Sequence, residues 1–213
     1  MLQDIIAYLG EHWGEFGDAV IRHILLSVTS LAAACLIAIP LGILCAKKKR
    51  LCGPLISILT ILRVIPSIGL LILILPLVET GFTSTCFALT VLALPMISIH
   101  TYGGYSEISP SILEAAEGMG LSKGQVFRKI ETPLALPQIF TGIRSASVDI
   151  ISSATVAALM GSGGLGQYVF VGMQINSYTQ LLIGGISVAA IALVNEVILW
   201  FLQKESIGNR LHG

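Results

Sequence analysis

The stretch EAAEGMGLSKGQVFRKIETPLALP, residues 114–137, carries six charged side chains between Glu114 and Glu131. Elsewhere the chain is oily: 54% of its 213 residues are hydrophobic, 11% are charged, and the mean hydropathy is +0.88. Soluble domains carry roughly a quarter charged residues. A globular fold of this size has more surface than so few charged groups can cover. The apolar runs therefore read as membrane spans, and the charged stretch as a segment that works outside the bilayer.

Working outward, charge-free runs occupy residues 24–46, 80–106 and 150–195, each longer than the roughly 18 residues that suffice for a transmembrane helix. The reading is an all-α, multi-pass membrane protein with about five spans, near 21–46, 54–78, 83–105, 138–160 and 179–202, making up a domain of residues 21–202. Before them, residues 1–20 place Leu2, Ile5, Ile6, Leu9, Trp13, Phe16 and Val20 on one side of a helix and Asp4, Glu11, Glu15 and Asp18 on the other. This is the pattern of an amphipathic helix lying at the membrane interface.

Orientation follows from the basic residues, which accumulate on the cytoplasmic side. Lys47, Lys48, Lys49, Arg50, Lys123, Arg128, Lys129, Lys204 and Arg210 share one side of a five-span chain, and only Arg22 marks the other. The expectation is N-terminus out and C-terminus in, with residues 107–137 and the tail 203–213 in the cytoplasm. Pro40, Pro66, Pro76 and Pro95 fall within predicted spans, where a missing backbone donor favours kinks.

Within the charged segment, Ser109-Pro110 suits a helix start and Gly120 suits the left-handed turn that stops one. Ser122 and Gln125 stand at capping-box spacing for a second short helix, expected to end at Thr132-Pro133. Ile112, Leu113, Val126 and Ile130 are the apolar candidates for docking. The residues alone leave two readings, a docking element or a solvated loop that happens to contain two helices.

The pattern Glu114-Ala115-Ala116, then Gly120, Ile130 and Pro133, resembles the EAA motif of permease subunits in bacterial binding-protein-dependent ABC importers. Thr132 departs from that pattern, which usually has Leu before the last proline. LRVIPSIGLLILILP at 62–76 and ATVAALMGSGGLGQYVFVG at 154–172 extend the similarity toward the glycine betaine, carnitine and choline branch. The resemblance implies the type I ABC importer permease (MetI-like) fold in the bacterial inner membrane. It also implies that the EAA residues dock two separate cytoplasmic ATPases, which bind ATP and magnesium, so that this chain is no enzyme and holds no cofactor. The further partners implied are a second permease copy or paralogue and an extracytoplasmic solute-binding protein. Methionine or another amino acid is the alternative substrate class, and an ion-coupled secondary transporter the alternative mechanism.

Two further features stand apart. GSGGLG at 161–166 lacks the Gly-Lys-Ser/Thr that ends a nucleotide loop, so Gly161, Gly163, Gly164 and Gly166 read as a side-chain-poor connection or gate. Asp149 falls within the fourth span, where a carboxylate usually faces protein, a partner or water. It is a candidate for the translocation path, or for a structural hydrogen bond. Scattered histidines and cysteines give no metal spacing, and no basic face invites nucleic acid.

Overall fold

The computed structural model describes residues 2–64, 66–74 and 80–208. Pro76, Arg210, His212 and the end of the second predicted span lie outside the described residues. The α-helices are α1 (Leu2–Glu11), α2 (Trp13–Lys47), α3 (Lys49–Val64), α4 (Ser67–Ile74), α5 (Phe82–Ser106), α6 (Pro110–Gly118), α7 (Lys123–Val126), α8 (Thr132–Ala157), α9 (Gly166–Gln174) and α10 (Tyr178–Gly208). A π-helical turn, Phe127–Glu131, joins α7 to α8, and a 3-10 turn, Ala158–Met160, follows α8.

Among the described residues, four helical runs are long and apolar enough to cross a membrane: Trp13–Lys47, Phe82–Ser106, Lys123–Met160 and Tyr178–Glu205. Bare apolar side chains such as Leu36, 77% exposed, and Leu193, 68% exposed, suit lipid or a partner chain rather than water. The second predicted span is instead two shorter helices, α3 and α4, on either side of Ile65-Pro66. Proline cannot donate to the ladder of α3, and its carbonyl opens α4 by accepting the Leu70 N–H at 3.0 Å.

Two other boundaries differ from the sequence expectation. The helix that carries the first predicted span begins at Trp13, because nothing between Trp13 and Ala46 interrupts it, and the bend falls at His12. Hydrogen bonds from His12 N to Tyr8 O and from Phe16 N to His12 O, both 3.0 Å, carry the ladder through that bend. The second short helix of the charged segment does not stop at Thr132-Pro133 either. Proline is harmless within the first turn of a helix, and the widened π turn removes the conflict. Thr132 bonds the Phe127 carbonyl through both its backbone N–H and its hydroxyl, the latter at 2.8 Å.

The chain forms two compact units. The first comprises Met1–Ala33, Ile65–Ala93 and Ser147–Val197, and the second Ala34–Val64, Leu94–Ala146 and Ile198–Gly213. Inside the first, Leu26, Ala88, Leu89, Ile150, Ala154 and Leu165 are buried together with His23, whose Nε2 lies 3.2 Å from the Ile151 carbonyl. In the second, Tyr105, Ala135 and Ile139 form a core flanked by Ile39, Ile43, Ala46, Phe127 and Ile143. Small residues draw helices of this unit together: a Cβ on Gly42 would stand 2.7 Å from the Ser98 carbonyl, and one on Gly142 the same distance from His100 Cβ. Close backbone approach of this kind is how membrane helices gain dispersion contacts in the absence of a hydrophobic driving force. The four cysteines are free thiols.

Charge divides between the units as sharply as the helices do. Of the twelve Lys and Arg, only Arg22 falls within the sequence ranges of the first unit. The same ranges hold Asp4, Glu11, Glu15, Asp18, Glu79, Asp149 and Glu196, so their balance is acidic.

Candidate functional site

The charged segment of the second unit is a helix–turn–helix. Pro110 occupies the first turn of α6, after Ser109 in extended conformation. At its end Gly120 has φ +86°, a conformation that costs an L side chain dearly. Leu121 N donates to Ala116 O at 3.2 Å and Gly120 N to Glu117 O at 2.9 Å, the two bonds of a Schellman stop. Gln125 Oε1 then accepts the Ser122 N–H at 2.8 Å and starts α7.

The sequence-predicted residues separate by exposure. Glu114, Ala115 and Gly120 are exposed, Ala116 is buried, and Ile130 and Pro133 are half-buried. Of the apolar docking candidates, Ile112 is exposed but Val126 is buried within its own unit, at 5% exposure, so Val126 cannot serve a partner. Met119, 73% exposed beside the turn, presents apolar surface instead.

What fastens this segment was not legible in the sequence. The Tyr105 ring stacks on Phe127 with centroids 5.8 Å apart and planes at 17°. Its hydroxyl lies 3.0 Å from Thr132 Oγ1. Lys47, the last residue of α2, holds its ammonium 3.8 Å from the Phe127 ring centre and 3.8 Å from Glu131 Oε2. Both charges are partly solvated, so the ion pair orients more than it stabilises. Thr132, the one departure from the motif, thus has a task that leucine could not perform. Two helix ends, those of α2 and α5, grip the turn that leads into α8.

The glycine-rich connection lies in the first unit, beside a cavity of about 450 Å³. Gly161, Gly163 and Gly164 line it, with φ of +75°, +78° and +84°. An added Cβ on Gly163 would come within 3.0 Å of Arg22 Cδ, so the glycine leaves room for the arginine to lie across the loop. Gly166 begins α9 so close to α8 that a Cβ there would collide with the Thr155 carbonyl oxygen. The lining also includes Tyr8, Glu15, Asp18, Tyr168 and Gln180. Gln180 Nε2 donates to Tyr8 Oη at 2.8 Å. The rings of Tyr8 and Tyr168 meet at 85° with centroids 6.5 Å apart, and Phe16 backs Tyr168 at 6.0 Å. Burial first, then Tyr8 and the Glu15 carboxylate, raise the Tyr168 phenol above its usual pKa, so it is neutral at physiological pH. Asp149 is an exposed residue of α8 within the same unit.

These elements define a class: helices long and apolar enough to cross a membrane, interrupted by a short helical pair. The family model described as "Binding-protein-dependent transport system inner membrane component" matches residues 38–204, and the chain belongs to that family. The chain is 30% identical to the choline transport system permease protein OpuBB of Bacillus subtilis, over 96% of this chain and 94% of that one. It is 33% identical to the carnitine transport permease protein OpuCD of Listeria monocytogenes, over 95% and 92%. It is 32% identical to the osmoprotectant import permease protein OsmW of Salmonella typhimurium, over 94% and 95%. Among solved structures, a chain of the inward-facing MetNI methionine ABC transporter superposes with a TM-score of 0.80 at 22% identity, covering 89% of this chain and 94% of that chain. The fold is that of a type I ABC importer permease.

Proposed function

We propose that this chain forms the passage for a quaternary ammonium osmoprotectant such as glycine betaine, carnitine or choline in an ATP-driven importer. The observation that carries the reading is similarity along nearly the whole chain to permeases named for choline, carnitine and osmoprotectant transport. The likeness to a methionine transporter, at 22% identity, speaks for fold alone and gives no weight to an amino-acid substrate.

Two cytoplasmic ATPases hold the ATP and magnesium and perform the hydrolysis. The helical pair at 107–137 is their handle, with Glu114, Ala115 and Gly120 meeting the ATPase, and Ala116, Ile130 and Pro133 holding the pair to its own unit. A second permease copy or a paralogue completes the passage, and a solute-binding protein delivers substrate from outside. Five crossings with the N-terminus out, α3 and α4 together making the second, agree with the charge division, because the unit that gathers 107–137 also gathers every basic residue but Arg22. Asp149, exposed on the single chain, faces the passage and attracts the passing cation.

Reconstituted with its ATPase and binding protein, the complex is expected to import labelled glycine betaine, choline or carnitine only when ATP is supplied. Asp149→Asn is expected to lower that rate about fivefold or more, the effect of losing one partly solvated charge contact. Uptake by the chain alone would indicate a secondary transporter. Unaltered uptake in the asparagine variant would remove Asp149 from the passage.

A further inference from the structure

Given the osmoprotectant reading on which this inference rests, we infer that the cavity between α1, the start of α2 and the glycine-rich connection is a receiving site for a zwitterionic quaternary ammonium compound. Its volume, about 450 Å³, accommodates a small solute with room for water. A trimethylammonium group offers no hydrogen-bond donor. It is recognised by aromatic faces and by carboxylates that need not touch it. The near-perpendicular rings of Tyr8 and Tyr168 provide an aromatic corner, and Glu15 and Asp18, which also line the cavity, supply negative charge. Arg22, one turn after Asp18 on the same face of α2 and lying against Gly163 of the glycine loop, supplies the complementary cation for the solute's carboxylate.

The charges are spread rather than consumed. Among the described residues, Glu15, Asp18 and Arg22 make no ion pair or side-chain hydrogen bond with one another, although all three line one cavity. Charges of both signs that line one cavity without pairing suit a ligand that carries both signs itself. An apolar or singly charged solute would leave one set unanswered. Arg22 is also the one basic residue in an otherwise acidic unit, where the prevailing field draws cations in. Two rings are fewer than a full cage provides, and the three charged side chains are exposed. Affinity is therefore weak, on the order of millimolar. Weak binding is what a site that accepts solute and then releases it requires. The residues come from opposite ends of the chain: the Tyr8–Gln180 bond spans 172 positions.

The test compares glycine betaine, a zwitterion, with choline, which has the same cationic head and no carboxylate. Saturation-transfer NMR would titrate each compound against the purified permease–ATPase complex without its binding protein. Both are expected to bind at millimolar concentration. Arg22→Gln should weaken glycine betaine about fivefold while choline changes less than about twofold, since only the carboxylate loses its partner. Glu15→Gln should weaken both. Retained choline binding in the Arg22 variant shows that the site is still folded. Equal effects of Arg22→Gln on the two compounds, or no binding of either, would overturn the inference. So would variants that impair docking of the binding protein and leave solute binding untouched, since the cavity would then seat a protein segment. The intact transporter separates the two levels of failure. Import of these compounds without the NMR discrimination sinks the site alone, whereas import of neither sinks the functional reading with it.

Discussion

Valine in place of Gly120 should cut uptake about tenfold while the protein still inserts and assembles. The left-handed conformation at this residue, φ +86°, costs an L residue about 1–2 kcal/mol, and β-branching adds to that. A penalty of about 1.4 kcal/mol depletes the competent conformation tenfold. The side chain itself would meet nothing, because an added Cβ at Gly120 has no neighbour within 4 Å. The damage is therefore confined to the turn, where the bonds Leu121 N to Ala116 O and Gly120 N to Glu117 O would be lost. Asparagine tolerates the left-handed region, so Gly120→Asn should retain most uptake. Parallel measurement of substrate import and ATP hydrolysis in proteoliposomes distinguishes the outcomes. The expected signature is hydrolysis that persists while import fails, and wild-type import in the valine variant would remove the turn from the coupling device.

A larger structural effect is expected at Gly166. A Cβ there would overlap the Thr155 carbonyl oxygen and stand 2.7 Å from Ala158 Cβ, both fixed parts of neighbouring turns. No rotamer relieves a clash with backbone, so Gly166→Val must push α9 away from the end of α8. Overpacking of this kind costs about 1–3 kcal/mol, occasionally more. The thermal midpoint in detergent should fall by several degrees, and the cavity beside the glycine loop should lose its shape. Gly185, in α10, offers the control: nothing lies within 4 Å of an added Cβ, so Gly185→Ala should leave the midpoint unchanged or slightly raised. Equal stability of the two variants would mean that the packing of α9 on α8 is not as tight as these distances imply.

Much of the first layer of this architecture was readable without coordinates. The predicted spans located α5 to within a residue at each end and the start of α10, which runs six residues past its predicted end. The Pro110 start and Gly120 stop of α6 followed from local chemistry, although Ser109 makes no side-chain cap bond. Periodicity and caps are local properties, and they act on the residues that carry them. What escaped was every contact made across long separations. Thr132 looked like a departure from the motif, and only the position of Tyr105 relative to Phe127 gives its hydroxyl a purpose. Val126 looked like part of a docking face, because spacing says which residues share a side and not whether that side points to core or partner. Pro133 looked like a terminator, since a local rule cannot anticipate that a π turn will absorb it. The cavity was the least legible feature. Tyr8 and Arg22 lie far from Tyr168 in the chain, and the three share no common pattern.

The proposal as a whole depends on residues 107–137 lying in the cytosol against an ATPase. Replacing the four native cysteines and introducing one at Glu114 would place a single thiol on the exposed turn of α6. A membrane-impermeant maleimide should then fail to label intact cells, label inside-out vesicles fully, and be blocked when the ATPase subunits are bound. Full labelling of that thiol in intact cells would put the helical pair on the wrong face of the membrane and contradict the mechanism.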